Sequence, residues 1–561
     1  MTPPGDGPAT GPGTVLADDL LDSWKQIATY LRRDVRTVTR WESTRGLPVH
    51  RLPKGARRAV YARKSELETW RENADAARPS APAAPPPSIA VLPFVNLTPD
   101  KDNEYFADGL ADEIITRLAG VPRLRVTART SSFAFRGQEG DVREIGARLG
   151  VSALLEGTLQ KVGDRLRVTV QLIGTGDGYH LWAEQFDRSA DDVFAVQDEI
   201  AEGVVANLKD RLLPCAPAVP ERRHHPPPAA FQAYLKGRYF LSRRGPGQIQ
   251  RAIECFEQAA SIDPDYASAH LGTAGCLATL GLWEMLPPGA AFGRVKVAAA
   301  RALAIDGSIG AAHLLLGVAA LADRDWGLAR RHFQQAEDRS ATDSGPFGLG
   351  FYYVLDGRPD AALRYAHKRL ERDPLSAIER TQAAALHVAL ERFDSATTLL
   401  DEALDLDNQV PMTLFWLGFC HGVQGRFDEA VPLLRSAAER GVALALSYLV
   451  AVLVRADELG RARAVHAELE EAAAGRYVSA MCLAVSHAAL GHKDRCLEFL
   501  FRAEHDRSPT YAMFLLGPGY LALSPEWLRR WCESRKRHVG LAGGPAVPAR
   551  GARADRAGRS R

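Results

Sequence analysis

Seven side chains near the amino end carry the most legible chemistry. Arg36, Thr39 and Arg40 share one face of the run VRTVTRWESTRG at helical spacing, opposite Val35, Val38 and Trp41. Arg51, Lys54, Arg57 and Arg58 sit in PVHRLPKGARRAVYARK, which alternates around a Pro-Lys-Gly turn and so predicts a hairpin with four cations at its tip. Cations and a hydroxyl on an exposed helix face suit base edges and nearby phosphates, and cations on a hairpin suit the phosphate backbone. This is recognition chemistry for DNA and needs no catalytic group.

Other constellations are weaker. GTGDG (174–178) lacks the Lys and Ser/Thr of a phosphate loop and lies between strands, so a hairpin turn is expected. His180 and Trp182 alternate along a strand and read as core. Asp108, Asp112 and Glu113 read as a solvated helix face, and TSSF (130–133) offers hydroxyls after a strand, a ligand edge or a plain loop. His270, His313, His332, His387 and His421 show no HExxH or paired spacing, so no metal ligand is expected among them. With no Walker loop, nucleophile elbow or kinase signature, no catalytic residue, metal or cofactor is expected.

The cationic residues need short helices to position them. Ser23 precedes WKQIATYL, where Trp24, Ile27, Ala28 and Leu31 recur at helical spacing; after Arg32–Asp34 the second helix runs to Gly46, a C′ residue. Two helices so tightly joined predict a helix-turn-helix. The hairpin follows, then SELETWRE as a closing helix capped by Ser65, with Leu67 and Trp70 inward. The run IATYLRRDVRTVTRWESTRGLPVHR, then YARKSELETW, resembles the winged helix-turn-helix of the MerR and excisionase type. That resemblance implies base or nearby phosphate contact by Arg36, Thr39 and Arg40, with Arg51, Lys54, Arg57 and Arg58 on the backbone. A protein-binding winged helix is the alternative. One module of this size binds weakly, so a homodimer or a second contact is implied.

The charge distribution divides the chain. The net charge is +2, yet between Asp22 and Asn73 there are 13 Lys/Arg against 6 Asp/Glu, and between Ser88 and Leu213 there are 14 against 20. Proline-rich stretches at 77–87 and 214–229 read as linkers. The expected organisation is therefore 1–20 disordered, 21–76 winged helix-turn-helix, 88–213 α/β domain, 230–535 helical solenoid with a C-terminal cap, and 536–561 a disordered basic tail. Seven cysteines without a CxxC pair suggest buried thiols in a reducing compartment. No secretory signal is expected from MTPPGDGPATGPG, and the longest apolar runs, 311–322 and 442–454, fall short of the ~20 residues of a membrane span. A cytoplasmic protein without a membrane partner is the expectation.

In the central segment, SIAVLPF predicts a buried strand and NEYFADGLADEIITRLAGV an amphipathic helix. LRVTART predicts a strand, DVREIGARLG a helix, and SALLEGTLQKV, DRLRVTVQLIG and YHLWAEQFDR three strands; VFAVQDEIAEGVVANLKDRL closes the segment as a helix. The order implies a sheet with helices packed on it. SIAVLPFVNLTPDKDNEYFADGLADEI, LLEGTLQKVGDRLRVTVQLI and GYHLWAEQFDR resemble the TolB amino-terminal-like domain, which implies a fold more than an activity.

Beyond residue 230 a period of 34 emerges. It links Arg358, Arg392 and Arg426, then Asp360, Asp394 and Asp428, then Ala362, Ala396 and Ala430. Gly350, Ala384 and Gly418 keep the first helix of each unit small where the second approaches, and Pro264 and Pro374 end second helices. This region resembles the tetratricopeptide repeat (TPR), and about eight helical pairs are expected. SPTYAMFLLGPGYLALSPEWLRRW departs from the repeat and is expected to cap the last unit. Stacked repeats imply a groove for a protein partner. The fold class expected is multidomain: a small winged helix-turn-helix, an α/β sheet-helix domain and an all-α TPR superhelix. The function expected is a DNA-binding transcriptional regulator whose other modules bind protein or ligand. The alternative is a non-enzymatic interaction scaffold.

Overall fold

The computed structural model describes residues 19–51, 60–76, 87–98, 103–138, 140–189, 192–208, 224–243, 246–339, 348–516 and 518–538. They belong to two compact units, Met1–Pro85 and Pro86–Arg561. Most of the expected tails and of the two proline-rich stretches lies outside the described residues, but their inner ends are ordered, Leu20 in a strand, Pro228 at a helix start and residues 536–538 in the last helix.

The first unit runs β1 (Leu20–Leu21), α1 (Trp24–Tyr30), α2 (Val35–Arg45), β2 (His50–Arg51), β3 (Val60–Arg63) and α3 (Lys64–Ala76). Ser23 Oγ accepts from the Gln26 amide and Asp34 Oδ1 from the Thr37 amide, so each of the first two helices has a side-chain cap. Gly46 ends α2 at φ +62°, the left-handed region that glycine enters without a Cβ penalty. The strands pair antiparallel in the order β1-β3-β2. Ile27, Val38 and Leu67 are fully buried, with Trp24, Trp41 and Trp70 packed against them.

Two local expectations change. Val35 is 43% exposed, because at the first position of α2 it lies outside the buried stripe. Ser65 is not the cap of α3: the helix begins at Lys64, and Asp19 accepts from the Ser65 amide at 3.1 Å and its hydroxyl at 2.9 Å.

The second unit opens with β4 (Ser88–Val91), β5 (Val95–Asn96), α4 (Glu104–Ala119), β6 (Arg125–Val126), α5 (Arg129–Phe133) and α6 (Val142–Leu149). A meander follows, β7 (Ala153–Val162), β8 (Arg165–Gly174) and β9 (His180–Ser189), and then α7 (Val193–Leu208). The sheet order is β6-β4-β7-β8-β9, with β4 parallel to both neighbours and β5 also on β7. Alternation places Ile89, Val91, Ala153 and Leu155 in one core with α4 and α7, and Ala90 and Leu154 in another with α6. Gly163 and Gly178 take positive φ in the two hairpin turns, so 174–178 is the turn expected of it. His180, expected in the core, is exposed at the sheet edge, whereas Trp182 packs on α7 against Gly203.

The rest is a succession of helical pairs: α8 (Pro228–Arg243) with α9 (Pro246–Ile262), α10 (Ala267–Leu282) with α11 (Pro288–Ile305), α12 (Gly310–Ala322) with α13 (Trp326–Asp338), and α14 (Gly348–Leu355) with α15 (Pro359–Arg372). Then come α16 (Ala377–Ala389) with α17 (Phe393–Leu406), α18 (Pro411–Val423) with α19 (Phe427–Glu439), α20 (Ala443–Arg455) with α21 (Leu459–Gly475), and α22 (Ala480–Ala489) with α23 (Lys493–His505). Among the described residues these are eight pairs. α24 (Pro509–Leu516), a 3-10 turn (Pro518–Leu521) and α25 (Glu526–His538) close the chain.

The repeat residues have the roles their types dictate. Arg358, Arg392 and Arg426 stand at the N-caps of α15, α17 and α19, and Ala362, Ala396 and Ala430 are fully buried. A Cβ on Gly418 would meet Leu434 Cγ at 2.8 Å and the Ala430 carbonyl oxygen at 3.1 Å, so the α18–α19 crossing requires glycine. Among the described residues six cysteines are free; burial pushes the thiols of Cys276, Cys420 and Cys496 up to about 12, which keeps them protonated.

Candidate functional site

The first unit presents its cations on α2. Arg36, Thr39 and Arg40 are exposed, because Val38 claims the inner face. Arg36 and Arg40 are one turn apart, and no ion pair involves either among the described residues. Thr39 Oγ1 donates back to the Val35 carbonyl at 2.8 Å, leaving its lone pairs outward. Arg51, on β2, donates to both carboxylate oxygens of Glu42 at 2.7 and 3.0 Å, which ties the hairpin base to α2. Lys54, Arg57 and Arg58 lie outside the described residues.

A second constellation was misread in the sequence. Asp108, Asp112 and Glu113 are not a solvated face; they are 4%, 3% and 8% exposed. Arg136 and Arg129 reach Asp108, Arg129 Nε lies 3.6 Å from Asp112, and Arg238 of α8 lies 2.5 Å from Asp112. Burial opposes the Arg238 charge, but Asp112, Tyr234 and Glu113 outweigh it and raise its pKa. α4 therefore buries two faces, one on the sheet and one on the solenoid. The missed signal was Gly109, whose absent Cβ lets Leu235 of α8 approach α4.

The hydroxyls of TSSF belong to the same junction and not to an open ligand edge. They form the short helix α5, where Ser131 and Ser132 are fully buried. Ser131 donates its hydroxyl to Asp373 and its amide to Asp373 Oδ1 at 2.9 Å, and its Oγ accepts from the Leu375 amide at 2.8 Å. The Ala128 amide donates to the Arg372 carbonyl at 3.1 Å. The α/β domain is thus hydrogen-bonded to the fourth helical pair, some 240 residues away along the chain.

The carboxyl-terminal segment does more than cap the last pair. α25 packs on α23 through Trp531 and Phe501 and through Arg535 and Glu504. α24, however, lies against α10 and α14, and the 3-10 turn lies against α16. Tyr520 donates to the Ala385 carbonyl at 3.0 Å, and Tyr448 donates to the Tyr520 carbonyl at 3.2 Å. Tyr511, Phe514, Leu515, Tyr520 and Leu521 are buried there. The physical reason is that first helices of the pairs leave an apolar inner wall, which this segment covers.

The eighth pair and the residues just after it also join distant repeats. Glu284, between α10 and α11, accepts from the Ser479 and Ser508 hydroxyls and from the Thr510 amide at 3.0 Å. Arg324 donates to the Glu504 carbonyl at 2.8 Å, and Arg507 pairs with Asp323 at 2.7 Å. The second and third pairs therefore touch the eighth.

Comparison with known proteins gives partial matches. Residues 86–203 match the family of the HilA/YgeH-like transcriptional regulator, second domain, and residues 240–284 and 381–443 match the tetratricopeptide repeat family. A Rhizobium meliloti (strain 1021) protein named "Putative adenylate cyclase 3" is 38% identical over 216 residues, 37% of this chain. The match spans 37% of that relative's own length. Among solved structures, the human IFIT1 dimer with PPP-AAAA aligns at TM-score 0.36 and 14% identity over 55% of this chain and 78% of that one. YrrB, a TPR protein with an unusual peptide-binding site, aligns at TM-score 0.22 and 17% identity over 34% of this chain and 93% of that one. The chain thus combines an N-terminal α/β region, similar to a regulator domain, with TPR repeats. No helix among the described residues is long and apolar enough to cross a membrane.

Proposed function

We propose that this chain is a cytoplasmic DNA-binding transcriptional regulator of the MerR/excisionase-like winged-helix type, with α2 in the major groove. Arg36, Thr39 and Arg40 contact bases and adjacent phosphates, and Arg51, Lys54, Arg57 and Arg58 hold the backbone. The carrying observation is the pair Arg36 and Arg40, exposed one turn apart on α2 without an ion pair among the described residues. Arg51 would exchange Glu42 for phosphate on binding. The match of residues 86–203 to a regulator domain supports the same reading. Residues 21–76 act as the DNA-binding module, 88–213 as a TolB-like domain and 230–535 as the solenoid that takes a protein partner, and a homodimer supplies the second half-site.

The test is a gel shift at graded salt with the full chain. Arg36→Ala with Arg40→Ala is expected to weaken binding and to flatten the dependence on log salt by about two counterions. Unchanged affinity and slope would overturn the proposal. The second reading, a scaffold whose modules all bind protein, is favoured by the TPR repeats; it predicts protein partners recovered with no DNA dependence. The reading is non-enzymatic, and the cyclase name stays with the relative.

A further inference from the structure

The last two helical pairs break the repeat pattern at three places that meet in space. Eight residues after the N-caps Arg392 and Arg426, α17 and α19 carry fully buried Leu400 and Leu434; eight after Glu458, α21 carries His466. Four further on, Leu404 and Ala438 give way to Glu470. In the first helices, His387 and His421 accept from the amides of Arg392 and Arg426; the equivalent bond in the last pair joins His487 to His492, so a histidine replaces the arginine. A buried leucine and a fixed cation have both been exchanged for imidazoles.

The imidazoles are held as ligands would be. Ser486 Oγ donates to the Leu483 carbonyl at 3.2 Å, so at 3.0 Å it accepts from His466 Nδ1–H. That leaves the His466 Nε2 lone pair free, and it faces Glu470 Oε1 at 3.6 Å. His487, with a side chain only 4% exposed, has its Nε2 without a hydrogen-bond partner and aimed at the same carboxylate oxygen, 3.7 Å away. Three donors with 2.0–2.2 Å bonds in a tetrahedral site sit roughly 3.4 Å apart. His492, exposed beside them, offers a nitrogen within 4.8 Å of one on each of the other two histidines. Burial and the neighbouring His466 lower the His487 pKa to about 4, and burial lowers that of His466.

We propose that His466, His487 and Glu470, with His492 turning in as fourth donor from the solvent side, bind a divalent transition-metal ion of the zinc class. The ion would clamp α21 to α22 and to the start of α23, where the fifth and sixth pairs use leucine packing. Closed by four protein donors, the site is structural in kind.

The test uses the full chain stripped with chelator and titrated with Co2+, read by its visible ligand-field bands, then competed with Zn2+. One equivalent with tetrahedral band intensity and a higher Tm on loading are expected. His466→Leu with His492→Arg installs the residues of the fifth and sixth pairs and should keep the helical circular dichroism while abolishing the bands. Glu470→Gln, which removes a proposed charged donor, should weaken Co2+ binding. Absence of a stoichiometric site, or a double variant that binds Co2+ as the wild type does, would overturn the proposal.

Discussion

Gly519 tests whether the carboxyl-terminal segment truly occupies the inner wall of the superhelix. In Gly519→Ala the new methyl group would fall within bonding contact of the Val388 carbonyl oxygen, 2.8 Å from its carbon and 3.3 Å from the Glu391 nitrogen. Two responses compete. Backing the turn away from α16 is an overpacking strain, about 1–3 kcal/mol. Expelling the segment would re-expose Tyr511, Phe514, Leu515, Tyr520 and Leu521. At ~1.5–3 kcal/mol per large side chain that loss is of order 10 kcal/mol as an upper bound. The strain is smaller, so the segment stays and bends. For a unit of this size the melting temperature should fall by about 1–3 °C. Hydrogen exchange should quicken by roughly 5- to 150-fold at the amides of Tyr520 and its neighbours if they open locally. Scanning calorimetry and exchange mass spectrometry measure both. A variant with unchanged Tm and unchanged exchange would refute the packing described, and complete release of residues 509–538 would refute the energy comparison.

Two further outcomes follow from buried polar groups. Ser131→Ala removes the hydroxyl shared by Asp373 and the Leu375 amide, and should cost about 1–3 kcal/mol in urea unfolding; a loss under ~0.5 kcal/mol would mean the junction is wet. His313 and His332 face each other at 3.1 Å between their Nδ1 atoms, and burial lowers both pKa values below 6.5. The unfolded chain therefore binds more protons as pH falls below 6.5, so stability is full above that pH and declines beneath it. His332→Gln should remove part of that decline, read as Tm against pH.

The sequence disclosed those features whose residues act locally. Ser23, Asp34 and Gly46 mark the ends of α1 and α2 by their own capping chemistry, and the spacing of Ala362, Ala396 and Ala430 exposes the repeat. Features built from distant partners were hidden. Asp112 looks like any surface carboxylate until Arg238, far along the chain, is placed against it. Ser65 looked like a cap because nothing local betrays Asp19. Likewise His466 is unremarkable in isolation, and only alignment with Leu400 and Leu434 shows how unusual it is.

The contacts that Glu284 makes with Ser479, Ser508 and Thr510 have a mechanical consequence. An open stack of repeats stretches like a spring and can fray from either end, since each unit leans only on its neighbours. Here the second pair is buckled to the eighth, so the pairs between them cannot peel apart until the clasp gives way. Under tension the chain should yield in one abrupt step where an unclasped array would unwind coil by coil.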